Sequence, residues 1–241
     1  MKNILTKLNI HPSTYVLFLI SFLCGYFKPV IILFLIIIVH ESGHVITSKL
    51  LGYNIISVNI YPFGGITKID KPLNSSIKKD ILIAISGVLM QLLLFLFIKD
   101  PTNRNDNLTI ILFNLLPLIP LDGSHLLMDL ITSFFSYHNS LIIYYYLSLV
   151  FLILFIIYQV LIGKLLFISS VLLVEWILLF KQKSYYLERF YLERYLNYYP
   201  YKQIRNHFIL DRRVLKINTR HFFYKNNHFI NEHELLNNHY K

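Results

Sequence analysis

The sequence predicts a mostly helical protein that crosses a membrane several times, and three observations carry that reading. Of its 241 residues, 55% are hydrophobic and 15% are charged. Its mean hydropathy is +0.53, well above that of an ordinary soluble domain. Apolar stretches close to the ~20 residues that a bilayer core about 30 Å thick requires recur along the chain. The fold class is therefore an all-α polytopic membrane protein with about six transmembrane helices. A short β-hairpin or re-entrant loop follows the second, and a cytoplasmic tail ends the chain. The division expected is a membrane domain over residues 1–180 and a basic, tyrosine-rich tail over 181–241.

The expected spans run from Ser13 to Phe27, Val30 to Leu51, Ile81 to Ile98, Leu108 to Phe135, Ser140 to Ile162 and Lys164 to Phe180. The first is the shortest, and it lacks a small-residue cleavage site, so it reads as a retained span. An even number of spans places both termini on one side. Lys2 and Lys7, the connection with Lys68, Lys71, Lys78 and Lys79, and the tail after Lys181 then fall together. By the positive-inside rule that side is cytoplasmic. The opposite loops hold Lys28, Lys99, Arg104 and Lys164, with Asp100 and Asp106 offsetting two of them. The net charge of +10 thus reads as topology and attraction to anionic lipid, not as direct nucleic-acid binding. Cys24 is the only cysteine, which excludes an internal disulfide and a cysteine-based metal site.

Between the second and third spans, Ile55 to Ile60 are rich in β-branched side chains. Pro62, Gly64 and Gly65 then interrupt, and Ile66 to Ile69 resume. This pattern fits a short hairpin or a loop dipping into the membrane, with a plain connector as the alternative. After Phe180 the chain turns aromatic and charged. The segment YLER recurs at 186–189 and 191–194, and its five-residue offset puts the copies on different helix faces. The expectation is an amphipathic helix along the cytoplasmic surface, with Arg189 and Arg194 towards lipid headgroups. Glu175, in the sixth span, reads as an interfacial residue or a partner for a neighbouring helix.

The chemistry concentrates in IIIVHESGHVI, residues 36–46. His40 and His44 are four residues apart, so on a helix they share one face and both imidazoles can reach one ion. Glu41 follows the first histidine, where its carboxylate can take a proton from an attacking water. This is the zinc-hydrolase reading of H-E-x-x-H, since zinc brings the pKa of bound water towards ~7. A chain of this composition shows the pattern by chance at roughly the two-per-cent level, so five letters alone decide little. Their place decides more. From Val30 to His40 is about 15 Å of helix, near mid-bilayer, where ionisable groups are expensive and usually functional.

Two histidines leave tetrahedral zinc in need of a further protein ligand. Asp122 lies in FNLLPLIPLDGSHLL, where Pro117, Pro120 and Gly123 would break a membrane helix. Broken backbone at that depth is tolerated where it lines a cavity or is covered by protein. His125 is the rival third ligand. Asn114 could donate to a developing oxyanion or bond between helices.

HESGH in one span, followed by NLLPLIPLDG, resembles the site-2 protease family of intramembrane zinc metalloproteases, whose second motif has the form N-x-x-P-x-x-P-x-D-G. The resemblance covers roughly residues 13–200. It implies one zinc ion held by His40, His44 and Asp122, with Glu41 as general base. It also puts Asn114 and Pro120 on the asparagine and second proline of the family motif, Gly64 and Gly65 on a glycine pair that meets substrate, and Ser86 and Gly87 on small residues of the third span. Length, span count and tail are most similar to the family's sporulation branch. That implies a membrane-associated substrate, the precursor of the sigma factor sigma-K, inhibitory membrane partners, and the outer forespore membrane of a bacterium as location. An anti-sigma factor is an alternative client, and a non-catalytic zinc-holding scaffold an alternative role. Self-association stays open. Two departures stand out: the residues after Pro200 are too few for the complete nucleotide-binding CBS domain frequent in this branch, and Ser124 replaces a frequent glycine. On this reading the hairpin from Ile55 to Ile69 adds the substrate as a further strand, and the tail contacts lipid, the substrate's soluble part, or both.

Overall fold

A computed structural model describes residues 8–61, 64–163, 166–199, 201, 203–225 and 228–240. Lys2, Lys7, Pro62, Lys164 and Pro200, which the sequence reading used, lie outside the described residues. The chain forms two compact units, Met1–Lys71 with Leu82–Leu115, and Pro72–Ile81 with Leu116–Lys241.

In the first unit, β1 (Leu8–Ile10) leads into α1 (Pro12–Leu23). Pro12 stands at the first helical position, and the amide of Ser13 donates to His11 Nδ1 at the cap. α2 (Phe27–Leu50) follows, and Gly52, at φ +84°, supplies the left-handed turn that ends it. β2 (Asn54–Tyr61) and β3 (Gly64–Asp70) pair antiparallel, and β1 pairs parallel with β2, so the order is β1-β2-β3 and β3 is an edge. A bulge between Ile55 and Ser57 shifts the alternation by one residue. That shift is why Ile55, Val58 and Ile60 are all buried, whereas strict alternation would have turned Val58 and Ile60 away from Ile55's face. α3 (Ile77–Phe97) continues from the second unit into the first, and α4 (Pro101–Asn114) starts at a cap in which Asp100 accepts from the Thr102 amide at 2.8 Å.

The second unit contains α5 (Asp122–Phe134), α6 (Tyr137–Leu161), α7 (Phe167–Lys181) and α8 (Lys183–Leu196). Beyond them lie β4 (Gln203–His207), β5 (Thr219–Lys225), β6 (His228–Asn231) and α9 (Glu232–Tyr240). β4 and β5 run parallel, and β5 and β6 antiparallel. Tyr137 of α6 stacks on Phe190 of α8 at 4.1 Å, and both join Leu215, Phe223 and Leu236 in one buried core.

Two expectations need correction. Among the described residues, three helices are long and apolar enough to cross a membrane: α2, α3 and α6. α1 has 12 residues and α7 has 15, and at 1.5 Å per residue neither reaches about 30 Å. The span expected from Leu108 to Phe135 is two helices, α4 and α5, separated at its prolines. The second correction is Arg194. Its side chain is buried, not turned to headgroups, because the tail folds over α8. Its guanidinium donates to Lys216 O at 2.8 Å and to Thr219 O at 2.6 Å, and pairs with Glu232 at 2.6 Å.

Candidate metal centre

α2 buries His40, Glu41, Gly43, His44, Val45 and Ser48 on one face, the periodicity expected of a helix packed on one side. His40 and His44 lie one turn apart on that face, and their Nε2 atoms are 3.1 Å from each other. Each ring is held from its other nitrogen. His40 Nδ1 donates to Gln91 Oε1 at 2.8 Å, and His44 Nδ1 donates to the Ile83 carbonyl at 2.8 Å. Since both acceptors are oxygens, the protons sit on Nδ1 and both Nε2 lone pairs converge.

Gln91 is itself fixed. Its amide donates to Asn107 Oδ1 at 3.4 Å, and Asn107 donates back to the Gln91 carbonyl at 3.1 Å. Both side chains are fully buried, so α4 braces α3, which braces His40. Ser86 donates to the Ile83 carbonyl at 2.6 Å, the same oxygen that orients His44.

Two converging lone pairs repel unless a cation or proton lies between them. Two nitrogens bound to tetrahedral zinc at about 2.05 Å are roughly 3.3 Å apart, close to what the pair presents. Gly87 of α3 leaves the matching space. A Cβ there would stand 2.5 Å from His44 Nε2 and 2.6 Å from His40 Nε2. The pair therefore fits two ligands of a divalent ion. Gly43 serves a different need: a Cβ there would run into the Ser86 backbone, so α2 and α3 approach closely only because both carry small residues.

The hairpin reaches Glu41. Thr67 Oγ1 donates to Glu41 Oε2 at 2.6 Å, and a side chain at Gly65 would collide with the Glu41 carboxylate. Gly64, next to it, has open space where a Cβ would be, so of the expected glycine pair only Gly65 is sterically required.

His40, Glu41, His44, Gly64, Gly65 and Asn114 belong to the first unit, and Pro120, Asp122 and His125 to the second. Asn114 is the half-buried last residue of α4. Asp122 is the half-buried first residue of α5, and His125, one turn on, is exposed. The break before α5 is tied down within its own unit. The Ile119 amide donates to Ser148 Oγ at 3.1 Å, and Ser124 Oγ donates to the Leu121 carbonyl at 2.7 Å and lies 3.2 Å from Tyr144 OH. Ser124, a departure from the expected glycine, thus fastens α5 to α6. Sequence reasoning passed over Gln91, Asn107 and Thr67. Gln91 carried a signal, an amide in an otherwise apolar helix, where polar groups are costly unless partnered.

Helix-borne histidines, a neighbouring carboxylate and acceptors that orient the rings are the arrangement of a metal-dependent hydrolase, and comparison with known proteins agrees. Residues 28–99, spanning α2, the hairpin and α3, match Peptidase family M50. The chain is 26% identical over 216 residues to Stage IV sporulation protein FB of Bacillus subtilis (strain 168), covering 80% of this chain and 73% of that one. A Synechocystis protein named as a zinc metalloprotease is 28% identical over 116 residues, 42% of this chain and 30% of its own. The fold is shared with the Site-2 Protease from Methanocaldococcus jannaschii at a TM-score of 0.54 and 23% identity, over 70% of this chain and 88% of that one. The chain is a metalloendopeptidase. More particularly, residues 28–99 are similar to Peptidase family M50, and the fold is the one seen in the solved site-2 protease.

Proposed function

We propose that the protein is a zinc-dependent endopeptidase that cuts a membrane-associated protein within the bilayer, with His40, His44 and Asp122 holding one zinc ion and Glu41 acting as general base. The observation that carries this is the pair of Nε2 atoms at 3.1 Å, each ring oriented from Nδ1 and facing a glycine. Zinc bound there would supply a Lewis acid that lowers the pKa of water and polarises the scissile carbonyl. Glu41 takes the proton of the attacking water on its carboxylate and delivers it to the leaving amide nitrogen. Asn114 donates to the oxyanion. Asp122 supplies a hard anionic oxygen beside two imidazoles, a donor set that suits zinc. Pro120 shapes the backbone break that presents it.

A helical substrate buries its carbonyls in its own hydrogen bonds and must be extended before cleavage. β3 is an edge strand, and such an edge accepts one more strand. Gly64 and Gly65 start that strand without side chains to obstruct it. The substrate assigned is the membrane-associated precursor of the sporulation sigma factor sigma-K, on the likeness to Stage IV sporulation protein FB. Both termini cytoplasmic, an outer forespore membrane location and inhibitory membrane partners belong to the same reading.

Co-expression with the precursor tests it. Glu41→Gln keeps zinc and the fold but yields no shortened product, because an amide cannot accept the proton. A fully active Glu41→Gln protein would falsify the assignment of the base.

A further inference from the structure

We infer that Thr67 is a positioning residue for Glu41, so that the hairpin sets the rotamer of the general base. The inference rests on the proposed role of Glu41, and it goes beyond the family motifs because Thr67 lies in neither.

The geometry follows from two periodicities that agree. β3 alternates, with Gly65, Thr67 and Ile69 half-buried and Ile66, Lys68 and Asp70 exposed. The inward set steps about 6.8 Å per two residues, and α2 rises about 6 Å per four. Two successive inward positions, Gly65 and Thr67, therefore meet Glu41, and the next, Ile69, packs on the cluster of Val45, Ile55 and Val58. Val45 is one helical turn beyond Glu41. The strand thus lies along the helix in fixed register, locked at its far end by apolar packing.

Glu41 is 6% exposed, and a buried carboxylate needs donors to stay in place. Thr67 Oγ1 donates to Oε2 at 2.6 Å, a short charge-assisted bond. Gly65 closes the other side: a Cβ there would collide with Cγ and Cδ of Glu41 and lie 2.5 Å from Oε1. The carboxylate is held between a hydroxyl and a bare backbone, both on the edge strand. Thr67 pairs with Val58 and Gly65 with Ile60, so the ladder with β2 holds both in place. Positioning by Thr67 predicts that loss of the hydroxyl lowers the rate of the bound complex while leaving substrate affinity intact.

The test uses the full chain in proteoliposomes with the sigma-factor precursor, comparing Thr67→Ser, Thr67→Val, Glu41→Gln and wild type. The expected result is near wild-type turnover for Thr67→Ser, and for Thr67→Val a kcat about tenfold lower with KM within twofold and zinc content unchanged. A readout independent of activity accompanies it. Thr67→Val lowers the midpoint of thermal unfolding in the wild-type background but not in Glu41→Ala, where the acceptor is gone. Thr67→Val with wild-type kcat while Glu41→Gln is inactive overturns the inference alone, as does a change confined to KM or an equal midpoint loss in both backgrounds. An active Glu41→Gln overturns the reading beneath it.

Discussion

His40 Nδ1 donates to Gln91 Oε1 at 2.8 Å, joining two helices through residues 51 apart in sequence. Removing such an outer partner from a ligating histidine typically costs ten- to a hundredfold in metal affinity. Gln91→Leu strands the His40 proton and the Asn107 Oδ1 acceptor together. It should lose zinc to a chelator at about tenfold lower concentration than wild type. Equal retention, measured by chelator competition, would separate Gln91 from the metal centre.

Gly87→Ala sets two effects against each other. In an open helix the change gains about 1 kcal/mol of helix propensity. Here the new methyl would stand 2.5 Å from His44 Nε2, in the space both lone pairs address. The contact should win, with zinc content falling well below wild type although no ligand is changed. Full metal occupancy in Gly87→Ala would show that the space is not where the ion sits.

Arg194 and Glu232 form the pivot of the tail. The arginine side chain is wholly buried, and Glu232 Oε2 also accepts from the His221 amide at 3.2 Å. Breaking one partner of a buried pair leaves an uncompensated charge, a loss of about 3 kcal/mol. Glu232→Ala should therefore speed amide exchange through β5 and α9 while exchange in α2 stays unchanged. Unaltered exchange in β5 would contradict the burial.

Acid should loosen the same region. Burial, aided by the Arg194 charge, pushes the His221 imidazole down from 6.5 to about 3. The folded tail therefore holds His221 neutral where the unfolded chain would protonate it. Its contribution to stability is whole above about pH 6.5 and is lost as pH falls towards 3, reaching about 2 kcal/mol at pH 5. Exchange in β5, corrected for its intrinsic pH dependence, should rise between pH 7 and 5. In His221→Asn the rise should flatten, and an identical slope in both proteins would contradict the assignment.

What could be read from the sequence was local. His40, Glu41 and His44 share a helix turn, so spacing alone put them on one face, and β-branched residues marked the two hairpin strands. The prolines at 117 and 120 marked the break, although not that it divides the expected span into α4 and α5. Non-local partnerships were hidden. Arg194 looked like a headgroup ligand because nothing in YLER announces that Lys216, Thr219 and Glu232, 22 to 38 residues later, supply its acceptors. Thr67 escaped notice for the same reason: its partner lies 26 residues earlier, across a strand-helix contact.

The central claim is that His40, His44 and Asp122 together hold one zinc ion, and metal analysis of the intact, detergent-extracted protein tests it most directly. The account predicts about one zinc per chain, lost in His44→Ala, sharply reduced in Asp122→Ala and retained in His125→Ala. A wild-type protein without metal would contradict it. Zinc retained in Asp122→Ala and lost in His125→Ala would move the third ligand.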